Sequence, residues 1–374
     1  MPAEKQPKET EIWDRALHLA ERGRGFASPN PVVGCVIVKD GETIGEGWHK
    51  RHGDLHAERV ALADTAERGN DPAGATAYVT LEPCAHHGSQ PPCADALIEA
   101  GIGEVVIGYG DPTEKTKGLG PKRLREAGVK VGDADPEAVH RCRLLIQDFL
   151  KVSASGRPLV TLKTAMSLDG KVATHKGDSR WISAPESREL VHRWRAEADS
   201  VAVGSGTFLA DDPRLTARTE NEARQPARVI FDSGPVVTPD AAIFEDIDEA
   251  PVVIVASPST PTAKLEPLSQ AGARVIVSRG LGAAGRFSDA LSQLGEMGIA
   301  SMLLEGGPTL AGVAIASGEV DRIEVFVAPL IVGGGQSAVN GQGPELIRDA
   351  IRVPRLLTSR VGQDVLMSAH LKEW

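Results

Sequence analysis

Two short segments of this 374-residue sequence combine residue types that bind metal ions. The first is His56-Ala57-Glu58, and the second holds Cys84, directly after Pro83, and Cys93 further along. One imidazole and two thiolates make three ligands, and a catalytic zinc site has three protein ligands with a fourth position for water. The pattern therefore predicts one Zn²⁺ per chain, bound by His56, Cys84 and Cys93.

Glu58 lies two residues after the predicted ligand His56, at the start of a predicted helix. There its carboxylate can reach water at the metal without binding the metal itself. Zinc deaminases share an H-x-E motif followed by P-C-x-x-C, in which the Glu is the general acid and base. The interval between the cysteines is longer here, but a helix that begins at Cys93 would return its thiolate to the same ion. We therefore predict a hydrolytic deaminase with Glu58 as the catalytic proton shuttle.

A structural zinc site is the main alternative interpretation, because such sites have four protein ligands. His86 or His87, in the loop between the two cysteines, could supply the fourth. The position of Glu58 argues against this alternative, since a closed metal site has no use for a carboxylate there.

The charge balance bears on the class of partner. The net charge is −10, and no Lys/Arg-rich run appears, which disfavours a nucleic-acid substrate. No apolar run is long enough for a membrane span, so we expect a cytoplasmic protein without a membrane partner. Cys35, in an apolar run, and Cys142, in a helical stretch, are expected to be buried structural thiols.

The length predicts two domains, and the small, polar segment 153–158 is the best boundary between them, giving domains 1–152 and 153–374. Helices and strands alternate in both halves, which indicates α/β architecture. Helices are expected at 11–24, 56–68, 93–101, 122–127, 137–150, 185–198 and 287–298. Strands are expected at 32–39, 43–48, 75–81, 105–109, 159–165, 200–203, 227–232, 251–256, 273–277, 300–304 and 321–328.

Further motifs appear along nearly the whole chain. They are Ser28-Pro29-Asn30-Pro31, Thr80-Leu81-Glu82-Pro83-Cys84, Asp111-Pro112, Ser167-Leu168-Asp169-Gly170-Lys171, Gly177-Asp178-Ser179-Arg180-Trp181-Ile182, Leu209-Ala210-Asp211-Asp212-Pro213 and Glu305-Gly306-Gly307-Pro308-Thr309-Leu310-Ala311-Gly312. In content and order, together with the metal motif, they resemble the bifunctional riboflavin-biosynthesis deaminase/reductase family. A deaminase acting on a different base or nucleoside, with a divergent second half, is the alternative.

The resemblance implies a cytidine-deaminase-like three-layer α/β/α domain followed by a dihydrofolate-reductase-like α/β domain. The first would hydrolytically deaminate 2,5-diamino-6-(5-phosphoribosylamino)pyrimidin-4-one, a small phosphorylated pyrimidine. The second would use NADPH to reduce the ribosyl group to ribityl. Members of the family commonly self-associate, so a homo-oligomer is expected.

The resemblance also implies contact residues. In the first half, Asn30 and His49 are candidate substrate contacts. In the second half, the candidate cofactor contacts are Ala165, Trp181, Thr207, Asp211, Ser233, Gly307, Pro308, Thr309, Leu310, Ala311, Gly312 and Val313. The candidate substrate contacts there are Ser179, Arg195, Leu215, Arg218 and Glu305. Arg195 and Arg218 suit a bidentate clamp on the ribose phosphate. Lys163 and Asp169 are candidates for polar roles at the reacting sugar.

Two loops of the first half depart from the family pattern. Ser89 stands where the family has a basic residue, and Thr113-Glu114 stands where it has Asn-Pro. A lost cation and an added carboxylate are expected to weaken phosphate binding there, and Lys115 and Lys117 could compensate. No G-x-G-x-x-G fingerprint follows a first strand, so a Rossmann domain is not indicated.

Overall fold

The computed structural model describes residues 9–86, 91–114, 116–220 and 223–374. The chain forms two compact units. The first comprises the described residues up to Ser155 together with Trp374, and the second is Gly156–Glu373. None of the helices in the described part of the chain has both the length and the apolar character needed to cross a bilayer.

The first unit is built on a five-stranded sheet. Its strands are β1 (Gly34–Lys39), β2 (Glu42–Trp48), β3 (Thr76–Val79), β4 (Glu104–Ile107) and β5 (Lys130–Asp133). Their order across the sheet is β2-β1-β3-β4-β5, in which β1 is antiparallel to both neighbours and β3, β4 and β5 are parallel. The hairpin between β1 and β2 turns at Asp40 and Gly41, both with positive φ, as the Asp-Gly signal predicts.

Helices cover both faces of this sheet. They are α1 (Glu9–Glu21), α2 (Ala57–Glu67), α3 (Cys93–Glu99), α4 (Leu119–Glu126), α5 (Pro136–Leu145) and α6 (Gln147–Ser155). Because side chains alternate along a strand, Val36 of β1 packs in the core with α1, α5 and α6, whereas Cys35 and Ile37 pack in the core with α2, α3 and α4. The three-layer α/β/α arrangement is therefore confirmed, and Cys35 and Cys142 are buried as expected.

The second unit contains a nine-stranded sheet. Its order is β11-β10-β9-β8-β12-β6-β13-β16-β15, with β16 antiparallel to β13 and β15 and the other pairs parallel. A separate ribbon pairs β14 with β7. The strands are β6 (Leu159–Ser167), β7 (Lys171–Thr174), β8 (Ser200–Gly204), β9 (Ala227–Asp232), β10 (Val252–Ala256), β11 (Arg274–Val277), β12 (Ser301–Leu304), β13 (Val320–Ala328), β14 (Gly335–Ser337), β15 (Arg355–Val361) and β16 (Asp364–His370).

Helices cover both faces of the parallel part of this sheet as well. They are α7 (Pro185–Glu197), α8 (Ser205–Asp211), α9 (Thr262–Gln270), α10 (Gly282–Glu296) and α11 (Pro308–Ala316), with short 3₁₀ turns at Ala242–Phe244 and Ile347–Asp349. Apolar residues of α10 and α11 pack in one core, and those of α7, α8 and α9 pack in the other. Strands buried on both faces are typical of parallel sheets.

Several elements differ from the sequence-based expectation. The helix expected at 137–150 is two helices, because Ile146 leaves helical geometry between α5 and α6, and α6 continues through residue 152 to Ser155. No prediction covered β5, β7, α8, α9, β14 or the β15–β16 hairpin, whose strands are short or lack clear alternation of apolar residues.

Candidate active sites

The helix α2 brings His56 and Glu58 to one place in the first unit. His56 is the extended N-cap residue of α2, and Glu58 lies in its first turn with only 3% of its surface exposed. The helix lies directly on β2, because Gly47 has no side chain: a Cβ there would come 2.3 Å from the Ala57 carbonyl oxygen. Gly47 is thus a positioning residue that the motif analysis missed.

The three predicted ligands converge in the first unit. The Nδ1 atom of His56 lies 3.6 Å from the Cys84 sulfur and 3.4 Å from the Cys93 sulfur. All three ligand atoms lie within 4.8 Å of one another. Tetrahedral zinc with its usual bond lengths would hold an imidazole nitrogen and a thiolate about 3.6 Å apart. The spacing and the donor chemistry therefore fit a zinc ion.

Within the described residues this is the one cluster of three such groups, and His86 does not belong to it. His87, the other candidate for a fourth ligand, lies outside the described residues. Cys93 is the first residue of α3, as expected, and its backbone N–H donates to the Cys84 sulfur at 3.3 Å. The described ligand set therefore has the three members of a catalytic site.

The protonation of the cluster follows from its close packing. A hydrogen bond from the Cys93 thiol, helped by His56, lowers the pKa of Cys84 to about 4, while the same bond raises the pKa of Cys93. Burial, with the charge of Cys84 adding to it, raises the pKa of Glu58 to about 7. The hydrogen bond to Cys84 raises the pKa of His56.

Asn30 and His49 lie beside this cluster. The His49 ring is 2% exposed, and its centroid lies 5.3 Å from that of His56, edge to face. Its Nδ1 is 3.1 Å from the Leu55 carbonyl oxygen and its Nε2 is 3.1 Å from the Asn30 side-chain nitrogen. A carbonyl only accepts, so Nδ1 carries the proton and Nε2 accepts from Asn30. Burial lowers the pKa of His49, which favours this neutral form.

The loop after β4 is held by two carboxylates. Asp111 accepts hydrogen bonds from the Thr113 backbone N–H and the Thr116 hydroxyl. Glu82, which the motif analysis left without a role, accepts from the backbone N–H groups of Asp111 and Gly120, and burial raises its pKa. Of the loop departures, Thr113, Glu114 and Lys117 are described, whereas Ser89 and Lys115 lie outside the described residues.

The second unit contains a cavity of about 870 Å³ at the carboxyl ends of its parallel strands. Residues that follow five neighbouring strands line it in spatial order: Ser278 after β11, Ser257 after β10, Ser233 after β9, Ser205 after β8 and Glu305 after β12. Ligands of open parallel α/β sheets bind in crevices at this edge. A volume of this size fits a dinucleotide together with a small substrate.

Most of the predicted cofactor contacts line this cavity. They are Thr207, Asp211, Ser233, Gly307, Pro308, Thr309, Leu310 and Val313, and the predicted substrate contacts Ser179 and Glu305 line it too. Gly307 is the N-cap of α11, and its backbone N–H donates to the Thr207 hydroxyl at 3.0 Å. The backbone N–H groups in the first turn of a helix are free to bind a phosphate.

The remaining predicted cofactor contacts do not line the cavity. Ala311 is buried on α11, and Gly312 packs against the Asn340 backbone. Trp181 is 71% exposed, with the Arg188 guanidinium over its ring, and Ala165 lies on β6 in register with Phe326.

The predicted substrate residues Arg195 and Arg218 lie close to Glu305. Arg195 is paired at two points with Glu305 and donates its third nitrogen to the Thr216 carbonyl oxygen. Arg218 is more exposed and contacts His192 and the Thr216 hydroxyl. Burial lowers the pKa of Lys163, and Arg195 lowers it further, against the opposing effect of Glu305.

Leu215 and Asp169 are not among the residues that line the cavity. Leu215 is 3% exposed in the core and has φ of 56°, an uncommon conformation for a non-glycine residue. The Asp169 carboxylate accepts from the Ser167 hydroxyl and from the Val332 and Gly333 backbone N–H groups, which lowers its pKa to about 2. Asp169 therefore ties a turn to the Gly333 loop.

Comparison with known proteins agrees with both sites. The family model for the cytidine and deoxycytidylate deaminase zinc-binding region matches residues 7–109, and that for the RibD C-terminal domain matches residues 158–366. The riboflavin biosynthesis protein RibD of Actinobacillus pleuropneumoniae is 41% identical over 355 residues, which cover 94% of this chain and 93% of the relative. This chain belongs to the RibD family. The RibD of Escherichia coli K12 is 38% identical and covers 94% of this chain and 96% of its own.

Solved RibD structures share the fold over nearly the whole chain. Acinetobacter baumannii RibD matches with a TM-score of 0.85 at 34% identity, covering 96% of this chain and 98% of that one. The Thermotoga maritima deaminase/reductase matches with a TM-score of 0.83 at 33% identity, covering 96% and 97%. As a RibD protein, this chain is a bifunctional deaminase and reductase of riboflavin biosynthesis, with a zinc-binding deaminase region and a dihydrofolate-reductase-like domain that uses NAD(P)H.

Proposed function

We propose that the first unit hydrolyses the 2-amino group of 2,5-diamino-6-(5-phosphoribosylamino)pyrimidin-4-one, and that the second reduces the ribosyl group of the product to ribityl with NADPH. The Thermotoga maritima relative is described as a diaminohydroxyphosphoribosylaminopyrimidine deaminase/5-amino-6-(5-phosphoribosylamino)uracil reductase. The observation that carries the proposal is the convergence of His56, Cys84 and Cys93 at zinc-ligand spacing beside the buried Glu58.

In the deaminase reaction, His56, Cys84 and Cys93 would hold one Zn²⁺ per chain. Bound zinc supplies the Lewis acidity that activates water near neutral pH. Glu58 would take a proton from the attacking water and deliver it to the pyrimidine, from which it leaves with the amino group as ammonia. One water is consumed, and its oxygen becomes the new ring carbonyl oxygen.

Asn30 and His49 have different roles in orienting the substrate. Both ring nitrogens of His49 are engaged within the protein, so His49 orients the Asn30 amide. The Asn30 carbonyl oxygen then faces the pyrimidine as a hydrogen-bond acceptor. His49 thus acts as a positioning residue, and Asn30 contacts the substrate.

In the reductase reaction, the start of α11 and Thr207 would hold the pyrophosphate of NADPH. The dihydronicotinamide supplies the hydride, which no protein side chain can supply. Ser233, which follows β9, and Asp211, at the end of α8, would contact the cofactor from the cavity wall. Contacts from Ala165, Trp181, Ala311 and Gly312 remain predictions.

The ribose phosphate binds at the more exposed arginine. The Arg195 guanidinium is already paired with Glu305. Arg218 has no ion pair with a carboxylate among the described residues, so it can bind a phosphate. Arg195 therefore holds Glu305 at the cavity wall, and Arg218, with Ser179 and the backbone at Leu215, binds the sugar phosphate. Self-association remains a prediction of the family resemblance.

Glu58→Gln tests the deaminase half. The variant is expected to keep one zinc per chain and to lose about 10²- to 10⁴-fold in the rate of ammonia release, because the amide cannot carry the proton. Zinc content, ammonia release and NADPH oxidation with the deaminated product are measured on the same preparation, and NADPH oxidation should stay within about twofold.

Glu67→Gln is the matched control, since Glu67 is exposed at the end of the same helix. Loss of zinc from the Glu58 variant would show that Glu58 ligates the metal. Full ammonia release by that variant would refute its role as the proton shuttle. A wild-type enzyme that releases no ammonia from the phosphorylated diaminopyrimidine would refute the substrate.

A further inference from the structure

The cavity of the second unit differs chemically between its two ends. Glu305 lines the end beside Arg195 and the half-buried Lys163, where the sugar is proposed to react. Arg286 lines the other end, and it is the one arginine or lysine on the wall among the residues that the structure describes. A lone cation far from the reacting groups calls for an anionic group there.

The strand order fixes how far apart the two ends are. Arg286 lies on α10, and its backbone carbonyl accepts a hydrogen bond from the Ser278 hydroxyl at the end of β11. From β11 to β12, where α11 begins, there are four strand intervals. At about 4.8 Å each, they span roughly 19 Å. An extended dinucleotide whose pyrophosphate lies at α11 would therefore direct its adenosine half toward Arg286.

Arg286 is available to bind an anion. Its guanidinium makes no hydrogen bond or ion pair with any residue in the described part of the chain, in contrast to Arg195. The next residue, Phe287, is buried and stacks on Phe231 at a centroid distance of 5.0 Å, which fixes this turn of α10 against the sheet. The half-buried guanidinium thus starts from a rigid backbone.

We propose that Arg286 binds the 2′-phosphate of NADPH and thereby makes the reductase half prefer NADPH to NADH. The inference rests on the proposed function, because it takes the dinucleotide to lie along this cavity. A guanidinium offers two parallel N–H donors to a phosphate, which gives strong, charge-assisted hydrogen bonds. NADH has a neutral hydroxyl at the same position and cannot form these charge-assisted hydrogen bonds.

The test measures dinucleotide binding to the full chain without pyrimidine, so it does not depend on activity. Dissociation constants for NADPH and NADH are determined by nucleotide fluorescence, and those for 2′,5′-ADP and ADP by competition. Arg286→Gln is expected to weaken NADPH and 2′,5′-ADP about 10- to 100-fold while NADH and ADP change less than about twofold. Arg286→Lys keeps the positive charge but loses the two parallel N–H donors, so its dissociation constants for NADPH and 2′,5′-ADP should lie between those of the wild type and Arg286→Gln.

Arg279→Gln is the matched control, because Arg279 is a nearby arginine that does not line the cavity. It should leave all four constants unchanged, and the thermal unfolding midpoints of all variants should match. An equal loss of NADPH and NADH in Arg286→Gln, or no loss of NADPH, would overturn the role of Arg286 while the reductase assignment stands. A wild-type chain that binds neither dinucleotide would overturn the reductase proposal itself.

Discussion

Arg195 and Glu305 form a buried, two-point ion pair in the second unit. Nε of Arg195 lies 2.6 Å from one carboxylate oxygen of Glu305, and Nη2 lies 2.9 Å from the other. Their side chains are 14% and 10% exposed. Burial alone would raise the pKa of Glu305, but the Arg195 guanidinium outweighs it and holds that pKa below its ordinary value. The pair therefore fixes a carboxylate at the wall of the cofactor cavity.

Removing one partner of this pair should lower the free energy of unfolding strongly, whereas removing both partners should lower it little. Arg195→Met is expected to destabilise the second unit by about 3–5 kcal/mol, because an unpaired carboxylate remains buried. Adding Glu305→Leu should recover most of that loss, since the carboxylate that had lost its guanidinium partner is then gone as well. The measurement is urea unfolding followed by circular dichroism. Arg180→Met is the control, because its pair with Asp211 is largely exposed and should contribute below about 1 kcal/mol.

His192 should make the second unit less stable in mild acid. Burial, together with Arg195 and Arg218, lowers the pKa of His192 to about 4, against about 6.5 in an unfolded chain. Between these values the unfolded chain binds the proton more tightly, so stability is complete above pH 6.5 and falls as the pH drops toward 4. His192→Asn should reduce this fall. The measurement is the unfolding midpoint of the wild-type protein and of His192→Asn at pH 7, 5.5 and 4.5. An equal fall of the midpoint with pH in both proteins would contradict the prediction.

His49→Phe should impair the orientation of Asn30 without affecting zinc binding. The ring shape is kept, but the Leu55 carbonyl and the Asn30 amide each lose a partner. Both hydrogen bonds are only partly buried, so each loss should cost no more than about 1–3 kcal/mol. Ammonia release should fall while zinc content stays at the wild-type level. His52→Phe, on the exposed turn that follows β2, is the control and should change neither. A normal rate of ammonia release in His49→Phe would refute the positioning role.

Gly312→Ala should disturb α11, whose first residues line the cofactor cavity. A Cβ at Gly312 would come 1.6 Å from the Asn340 carbonyl oxygen, so α11 or the Asn340 segment must move. Such overpacking costs about 1–3 kcal/mol and should also weaken dinucleotide binding. Gly334→Ala is the control, since nothing lies within 4 Å of its Cβ position. Unchanged thermal unfolding and NADPH affinity in Gly312→Ala would show that α11 can shift without consequence.

Short motifs made the deaminase site predictable. His56 and Glu58 are neighbours on one helix start, and Cys93 begins another helix, so local helix geometry already constrains where these groups point. The same holds for Gly307 at the start of α11. In each case the residues and the backbone that presents them are adjacent in the sequence.

Residue types and their spacing were enough to predict three things about this protein: a three-ligand metal set with a carboxylate beside it, α/β architecture in both halves, and the family. Three relationships became visible only in the folded chain: His49 is hydrogen-bonded to Asn30, Arg195 is paired with Glu305, 110 residues away, and Arg286 lines the cavity. These relationships depend on strand order and helix packing, which bring distant segments together and which no local pattern of residues specifies.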